Sequence, residues 1–284
     1  MSFVLGANQY GKAETRVVRV VRDGDRHELR DLNVSVALAG DLAGTHLTGD
    51  NSQVLPTDTQ KNTVYAFAKR FGVGEPEAFG LRLARHFVAS QVAITRARVR
   101  IEEYPWRRLG PHSFARDGSS ARTCLVTVDG AGERVVSGVT DLVLLNSTDS
   151  EFWGYVRDEY TTLPETRDRV LATSVTASWR HTSVDSDWAS SFAGARDALV
   201  AAFVDTRSRS LQQTLFAMGS GVLAACAELD EVRLVLPNKH HLLVDLTPFG
   251  LDNPNEVFVA ADRPYGLIEG TVLRPGASAE DGAF

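Results

Sequence analysis

The chain switches between two hydrophobic periods, and those switches divide it into elements. Arg16 to Arg22 is valine-rich and runs into the turn-forming Asp23-Gly24-Asp25. In the next run Leu32, Val34, Val36 and Leu38 alternate with Asp31, Asn33, Ser35 and Ala37, the period of a half-buried strand. Together they predict a β-hairpin. From Thr57 the period lengthens: Val64, Phe67, Ala68 and Phe71 form one helical stripe. Thr57 with Gln60 three residues later predicts a capping box, and Asp58 places a negative charge in the first turn. Gly72 and Gly74 close that helix, and Pro76 opens a second one with Phe79, Leu83, Ala84 and Phe87 on its apolar face. The period of two then returns. Ala93, Thr95, Ala97, Val99 and Ile101 share a face, and Arg96, Arg98 and Arg100 occupy the opposite, solvated one. Arg122 to Asp129 supplies a further strand.

The second half repeats this order. Val135 to Leu145 and Val175 to Arg180 read as strands, followed by helical segments near Trp188 to Val204 and Leu211 to Ala227. Strands over Val232, Leu234, Leu236 and over Leu242, Val244, Leu246 complete it. Gly219-Ser220-Gly221 falls inside a helical pattern and predicts a packing or flexibility point. The repetition predicts an α+β chain of two similar units, residues 1–133 and 134–284. Each would be a four-stranded antiparallel sheet with both helices on one face. The bare faces and sheet edges need partners, so self-association is expected. Pro275 to Phe284 is small and acidic and reads as a loose tail.

Composition narrows the function. With 284 residues, 43% hydrophobic, the chain can build a sizeable core. A formal net charge of -6 argues against a nucleic-acid partner, which selects a basic face. Cys124 and Cys226 each sit in an apolar stretch and read as buried thiols, too few for a disulfide framework or a Cys-rich metal site. The sequence holds no HExxH, no P-loop and no G-x-G-x-x-G after a strand, so neither a metal nor a nucleotide cofactor is expected. No apolar run approaches the roughly 20 residues of a membrane span. The start lacks the pattern of a signal peptide, and the end, Gly282-Ala283-Phe284, is not the Ser-Lys-Leu address. The expectation is a cytoplasmic protein with no membrane partner.

Four segments carry a more specific signal. They are Tyr10-Gly11-Lys12, Leu55 to Lys69 (LPTDTQKNTVYAFAK), Glu151 to Arg169 (EFWGYVRDEYTTLPETRDR) and Leu236 to His240 (LPNKH). Leu211-Gln212-Gln213-Thr214 is a weaker fifth. In this order, spread over nearly the whole chain, they resemble the urate oxidase family. The resemblance implies two tandem T-fold units, a homotetrameric barrel with a tunnel, and active sites between subunits. It also implies oxidation of urate by O2 and water to 5-hydroxyisourate and H2O2, with no cofactor and no metal.

Roles follow position by position. The resemblance makes Lys12, Thr57 and His240 a proton relay, with Thr57 able to serve as a helix cap as well. Arg169 offers a planar donor fork for the flat anionic purine, and Gln212 faces it across the substrate, with neighbouring Gln213 as the competing assignment. Phe152 corresponds to the stacking aromatic, while Trp153 and Tyr155 read as structural. Leu163, Leu211 and Ile268 line the site, and Asp58 contributes its backbone amide. Asn238 corresponds to the residue holding dioxygen or its water replacement, with Thr57 beside it, and His241 reads as structural. Two alternatives remain open. One is a related T-fold enzyme acting on another purine or a pterin; the other is a catalytically silent purine-binding barrel.

Overall fold

The computed structural model describes residues 3–118, 120–261 and 263–279. The chain resolves into two compact units. The first comprises the residues up to Gly138 together with Arg180–Phe192, and the second comprises Val139–Trp179 with Ala193–Ala279.

In the first unit the hairpin is β1 (Tyr10–Val21) and β2 (Glu28–Gly40). A single turn, α1 (Ala43–Leu47), leads to α2 (Thr57–Arg70) and α3 (Pro76–Ser90). Then come β3 (Ile94–Glu103), a small ribbon of β4 (Trp106–Arg108) and β5 (Phe114–Arg116), β6 (Ala121–Asp129) and β7 (Gly132–Asn146), which runs on into the second unit. Strands β1, β2, β3 and β6 neighbour one another in that order, each pair antiparallel. Leu32, Val34, Val36 and Leu38 are all buried, as the alternation predicts. Opposite them in the pleat, Ser35, Ala37, Arg98 and Arg100 lie on the other face, less buried. The helices cover the apolar face, α2 against β1 and α3 against β3 and β6. Gly72 and Gly74 adopt positive φ at the end of α2, and Pro76 opens α3.

The second unit continues with β8 (Leu171–His181), α4 (Trp188–Asp205), α5 (Leu211–Ala225), β9 (Leu229–Pro237), β10 (His241–Leu243), β11 (Phe258–Ala260) and β12 (Leu267–Leu273). Strands β7, β8, β9 and β12 neighbour one another in that order, and α5 packs on β9 and β12. Two strands, two helices, two strands: the fold is mixed α/β on antiparallel sheets, with the same element order in both units.

Three expectations need correction. Of Leu242, Val244 and Leu246 only Leu242 lies in a strand. β10 stops at Leu243 and pairs with β11 in a separate ribbon, and the outer strand is β12, 24 positions further on from that stop (267 − 243). β12 escapes the sequence reading because its apolar positions are interrupted by Gly270. Leu215 packs over that glycine, and a Cβ there would lie 2.9 Å from its Cδ2, so a larger residue would push the leucine aside. The segment Glu165 to Leu171, helix-like on its sequence alone, is not helical; it is a bend leading into β8. Finally, no capping box forms at α2. Pro56 occupies the cap position without a side-chain bond, and Gln60 turns inward. The far end of the expected tail, residues 280–284, lies outside the described residues. Among those described, no helix is long and apolar enough to cross a membrane.

Gly219 explains the glycine pair in α5. A Cβ at that position would stand 2.6 Å from Val272 Cγ2 and 2.9 Å from its Cβ, and valine is too stiff to yield. We expect Gly219→Ala to destabilise the fold by about 1–3 kcal/mol despite alanine's better helix propensity. Denaturant midpoints of the two proteins check this, and an unchanged or higher midpoint would contradict the packing described.

Candidate functional site

The predicted residues fall into two groups, one in each unit. In the first unit Lys12 lies on β1 opposite Val36, immediately before an irregularity in the pairing between Lys12 and Thr15. Its pleat position matches that of buried Val36, so it sits on the helix-covered face. Thr57 is the first residue of α2, and its side chain makes no hydrogen bond among the described residues. Asp58 follows. Its carboxylate accepts from Lys61 Nζ and from Asn62 Nδ2 at 2.9 Å, which leaves its role at the helix start as expected. The Lys61 bond is the largest cause holding that carboxyl below its ordinary range, with a smaller contribution from the charge of Lys12. Lys12 and the start of α2 are therefore close enough to interact electrostatically.

In the second unit, backbone hydrogen bonds gather three loops. Phe152 N–H donates to Thr166 O at 2.9 Å and Thr166 N–H returns to Phe152 O at 3.0 Å. Arg169 N–H donates to Ser150 O at 2.8 Å, and Glu151 N–H donates to Ser208 O at 2.7 Å. Ser208 stands just ahead of α5, so these bonds bring Phe152, Arg169, Leu211 and Gln212 into one neighbourhood. The Arg169 guanidinium lies 5.3 Å from the centre of the Phe152 ring. Its Nε is buried with no hydrogen-bond partner among the described residues. Burial pushes its pKa down, as expected for a desolvated cation without a carboxylate beside it.

The adjacent glutamines are sorted by the start of α5. Ser210 caps the helix, its Oγ accepting from Gln213 N–H at 3.1 Å, and the Gln213 side-chain Oε1 accepts from Arg209 N–H at 2.8 Å. Gln213 is thus committed to closing the first turn. Gln212 is exposed and its side chain has no such engagement. Leu211 beside it is buried.

Strand β8 carries the neighbourhood on to the third loop. Lys239 N–H donates to Ala172 O at 2.8 Å, and Asn238 N–H donates to Gly266 O at 2.8 Å. These bonds set Asn238 and His240 at the end of β9, where Ile268 of β12 pairs with Leu236. The side chains of Asn238 and His240 make no hydrogen bond among the described residues. His241, by contrast, contacts Lys239 O through Nδ1 at 3.0 Å and pairs with Ala260 across the ribbon, consistent with a structural histidine. Leu163 is exposed, and its carbonyl accepts from Tyr155 Oη at 2.5 Å.

Tyr155 has more to do than the sequence reading gives it. Its ring stacks on Phe152 with centroids 4.9 Å apart and planes 17° apart. It therefore links the stacking aromatic to the loop of Leu163. An i, i+3 aromatic pair in a non-helical segment was the available signal. Among the described residues no three His, Cys, Asp or Glu side chains converge on a common point suited to a metal ion.

Known proteins match this chain along nearly its whole length. The family model for uricase matches residues 8–127 and 135–269. A uricase of Arthrobacter globiformis is 50% identical over 279 residues, covering 98% of this chain and 92% of that protein. A uricase of Dictyostelium discoideum is 38% identical over 276 residues, covering 94% of this chain and 96% of that protein. The crystal structure of the Arthrobacter globiformis uricase superposes with a TM-score of 0.97 at 49% identity, covering 99% of both chains.

The two glutamines should separate experimentally. Ser210→Ala, which removes the cap of α5, should cost about 1 kcal/mol of stability, and Gln213→Ala should follow it in direction. Gln212→Ala should stay within about 0.5 kcal/mol of the parent. Equal destabilisation by Gln212→Ala and Gln213→Ala in denaturant titrations would contradict the division of roles.

Proposed function

The chain belongs to the uricase family, and from that premise we propose how its residues bring about the oxidation of urate. The observation that carries the reading is Arg169: a largely buried guanidinium, without a carboxylate partner among the described residues, beside the ring of Phe152. A planar cation next to an aromatic face suits a flat anion with adjacent acceptors. Arg169 and Gln212 grip the two edges of urate, Phe152 stacks on its ring, and the Asp58 amide contributes a hydrogen bond. Leu163, Leu211 and Ile268 supply the walls.

Lys12, Thr57 and His240 move the protons. The threonine hydroxyl both donates and accepts, so it can pass a proton between a lysine amine and the substrate side. Asn238 and Thr57 hold dioxygen and the water that replaces it. Urate gives up two electrons to O2 and takes up one water, yielding 5-hydroxyisourate and H2O2. This balances without any further oxidant, and the proposed reaction uses no cofactor. The repeated element order fits two tandem T-fold units. Lys12, Thr57 and Asp58 belong to the first unit and Arg169, Gln212, Asn238 and His240 to the second, and a homotetrameric barrel would complete each site with residues from two subunits.

Purified protein added to urate in aerated buffer, with no metal or cofactor supplied, should bleach the urate ultraviolet band and release peroxide. Both should survive a chelator and stop under argon. Loss of activity on chelation would overturn the cofactor-free reading, and binding of urate without turnover would favour a silent barrel. Arg169→Ala should lose roughly 3–5 kcal/mol of urate binding if the guanidinium is a buried charge partner. Lys12→Met should depress turnover more than binding. Parent-like urate affinity in the arginine variant would remove the clamp assignment.

A further inference from the structure

We propose that Tyr10 and Gln60 are positioning residues for the Lys12–Thr57 pair, because both bind the Leu55 carbonyl and thereby fix the start of α2 against β1. This rests on the relay reading above and deepens it. The two relay residues sit on short leads from one shared point: Lys12 lies two residues after Tyr10, and Thr57 two residues after Leu55. Tyr10 Oη donates to Leu55 O at 3.0 Å, and Gln60 Nε2 donates to the same oxygen at 3.3 Å. A carbonyl has two lone pairs and can take both donors. Gln60 is fully buried, although the capping-box pattern would turn it outward to the helix start. Burial also raises the Tyr10 pKa, which keeps its hydroxyl protonated as the donor this bond needs.

The strand itself is shaped around Lys12. An ideal Cβ on Gly11 would stand 1.8 Å from Val36 O, so β1 approaches β2 more closely there than any side chain permits. Immediately beyond Lys12 the pairing shifts, Glu14 takes φ 55, and its N–H donates to Ser35 Oγ at 2.9 Å. A bulge re-aims the neighbouring side chain. Lys12 is thus bracketed by a close approach on one side and a bulge on the other, while Tyr10 ties the strand to the loop of Thr57. Proton transfer needs heavy atoms at hydrogen-bonding distance, and an error of about 1 Å can cost on the order of 100-fold in rate. Nothing in Tyr10 or Gln60 needs to touch substrate for their loss to be felt.

Tyr10→Phe keeps the ring and removes the Leu55 bond; Gln60→Met keeps the volume and removes the other. In the assembled protein each should lower kcat by about 10-fold or more, while the urate dissociation constant measured without oxygen, which the Asp58 amide on the same turn also feels, rises severalfold less. The pH profile of kcat should shift as well, because the proton relay is what has been disturbed. On a Lys12→Met background neither change should cost further turnover, since residues acting as one unit are not additive. Parent-like kcat and pH profile in both variants would overturn the proposal, and so would full additivity with Lys12→Met. The relay reading fails separately, if Lys12→Met itself keeps the parent kcat. If Lys12→Met loses turnover and the two positioning variants do not, the relay stands and this inference falls.

Discussion

Most of the molecule follows from one constraint: each sheet has a single face to bury, and the helices must lie close upon it. Antiparallel strands with a period of two present all their apolar side chains to one side. In the first unit these include Val34, Val36, Val99 and Val126, all buried. Burying each such side chain is worth about 1.5–3 kcal/mol, so a shift of register by one residue would be prohibitive. The helices come near enough that side chains at the contact are excluded. Gly80 of α3 faces Val126 of β6, where a Cβ would sit 2.8 Å from Cγ2, and Gly219 of α5 faces Val272 of β12 in the same manner. The same device at the same element of both units supports their reading as two copies of one design.

That constraint also decides where chemistry can be placed. The middle of the helix-covered face is filled by core side chains, so the candidate functional groups collect at strand ends, helix starts and connecting loops. Lys12 stands at the start of β1, Thr57 at the start of α2, Gln212 at the start of α5 and Asn238 just beyond β9. Pleat parity then selects the face. Lys12 shares the helix side with Val36, whereas Arg98 and Arg100 face the other way. A loop residue such as Arg169 depends instead on its backbone, and the bond from its N–H to Ser150 O supplies that anchor.

How far this was legible in the sequence depended on range. The hairpin of β1 and β2, the stripes of α2 and α3, and the glycine and proline between those helices are set by neighbours within a few residues. The periodicity reads them correctly, except that Phe71 falls just past α2 and is exposed. The misreadings came where distant contacts decide. The outer strand β12 is broken in its pattern by Gly270, over which Leu215 packs, and no local rule reveals that partner. Glu165 to Leu171 resembles a helix in composition, but Thr166 pairs with Phe152 and holds it open. The candidate site was legible chiefly through its short motifs, since nothing in the spacing of Phe152, Arg169 and Gln212 announces that backbone bonds gather them. The motif alone leaves Gln213 competing with Gln212; the bond from Arg209 N–H to Gln213 Oε1 commits that side chain to the helix start.

The helix start at Thr57 shows how the fold and the site trade against each other. A threonine at the cap position would satisfy an amide of the first turn, and losing such a cap typically costs about 1 kcal/mol. Here the chain sets Pro56 at that position and begins the helix with Thr57, leaving the hydroxyl outside the capping scheme. Gln60, the natural partner in a capping box, is drawn inward to the Leu55 carbonyl instead. The local rule is thus broken twice within four residues, beside the one lysine that the motif marks out. Sequences tend to break such rules at functional sites, where a group must remain available rather than satisfied. His240 beside the bonded His241, and Gln212 beside the bonded Gln213, follow the same logic: one neighbour holds the backbone and the other is left with its side chain unengaged.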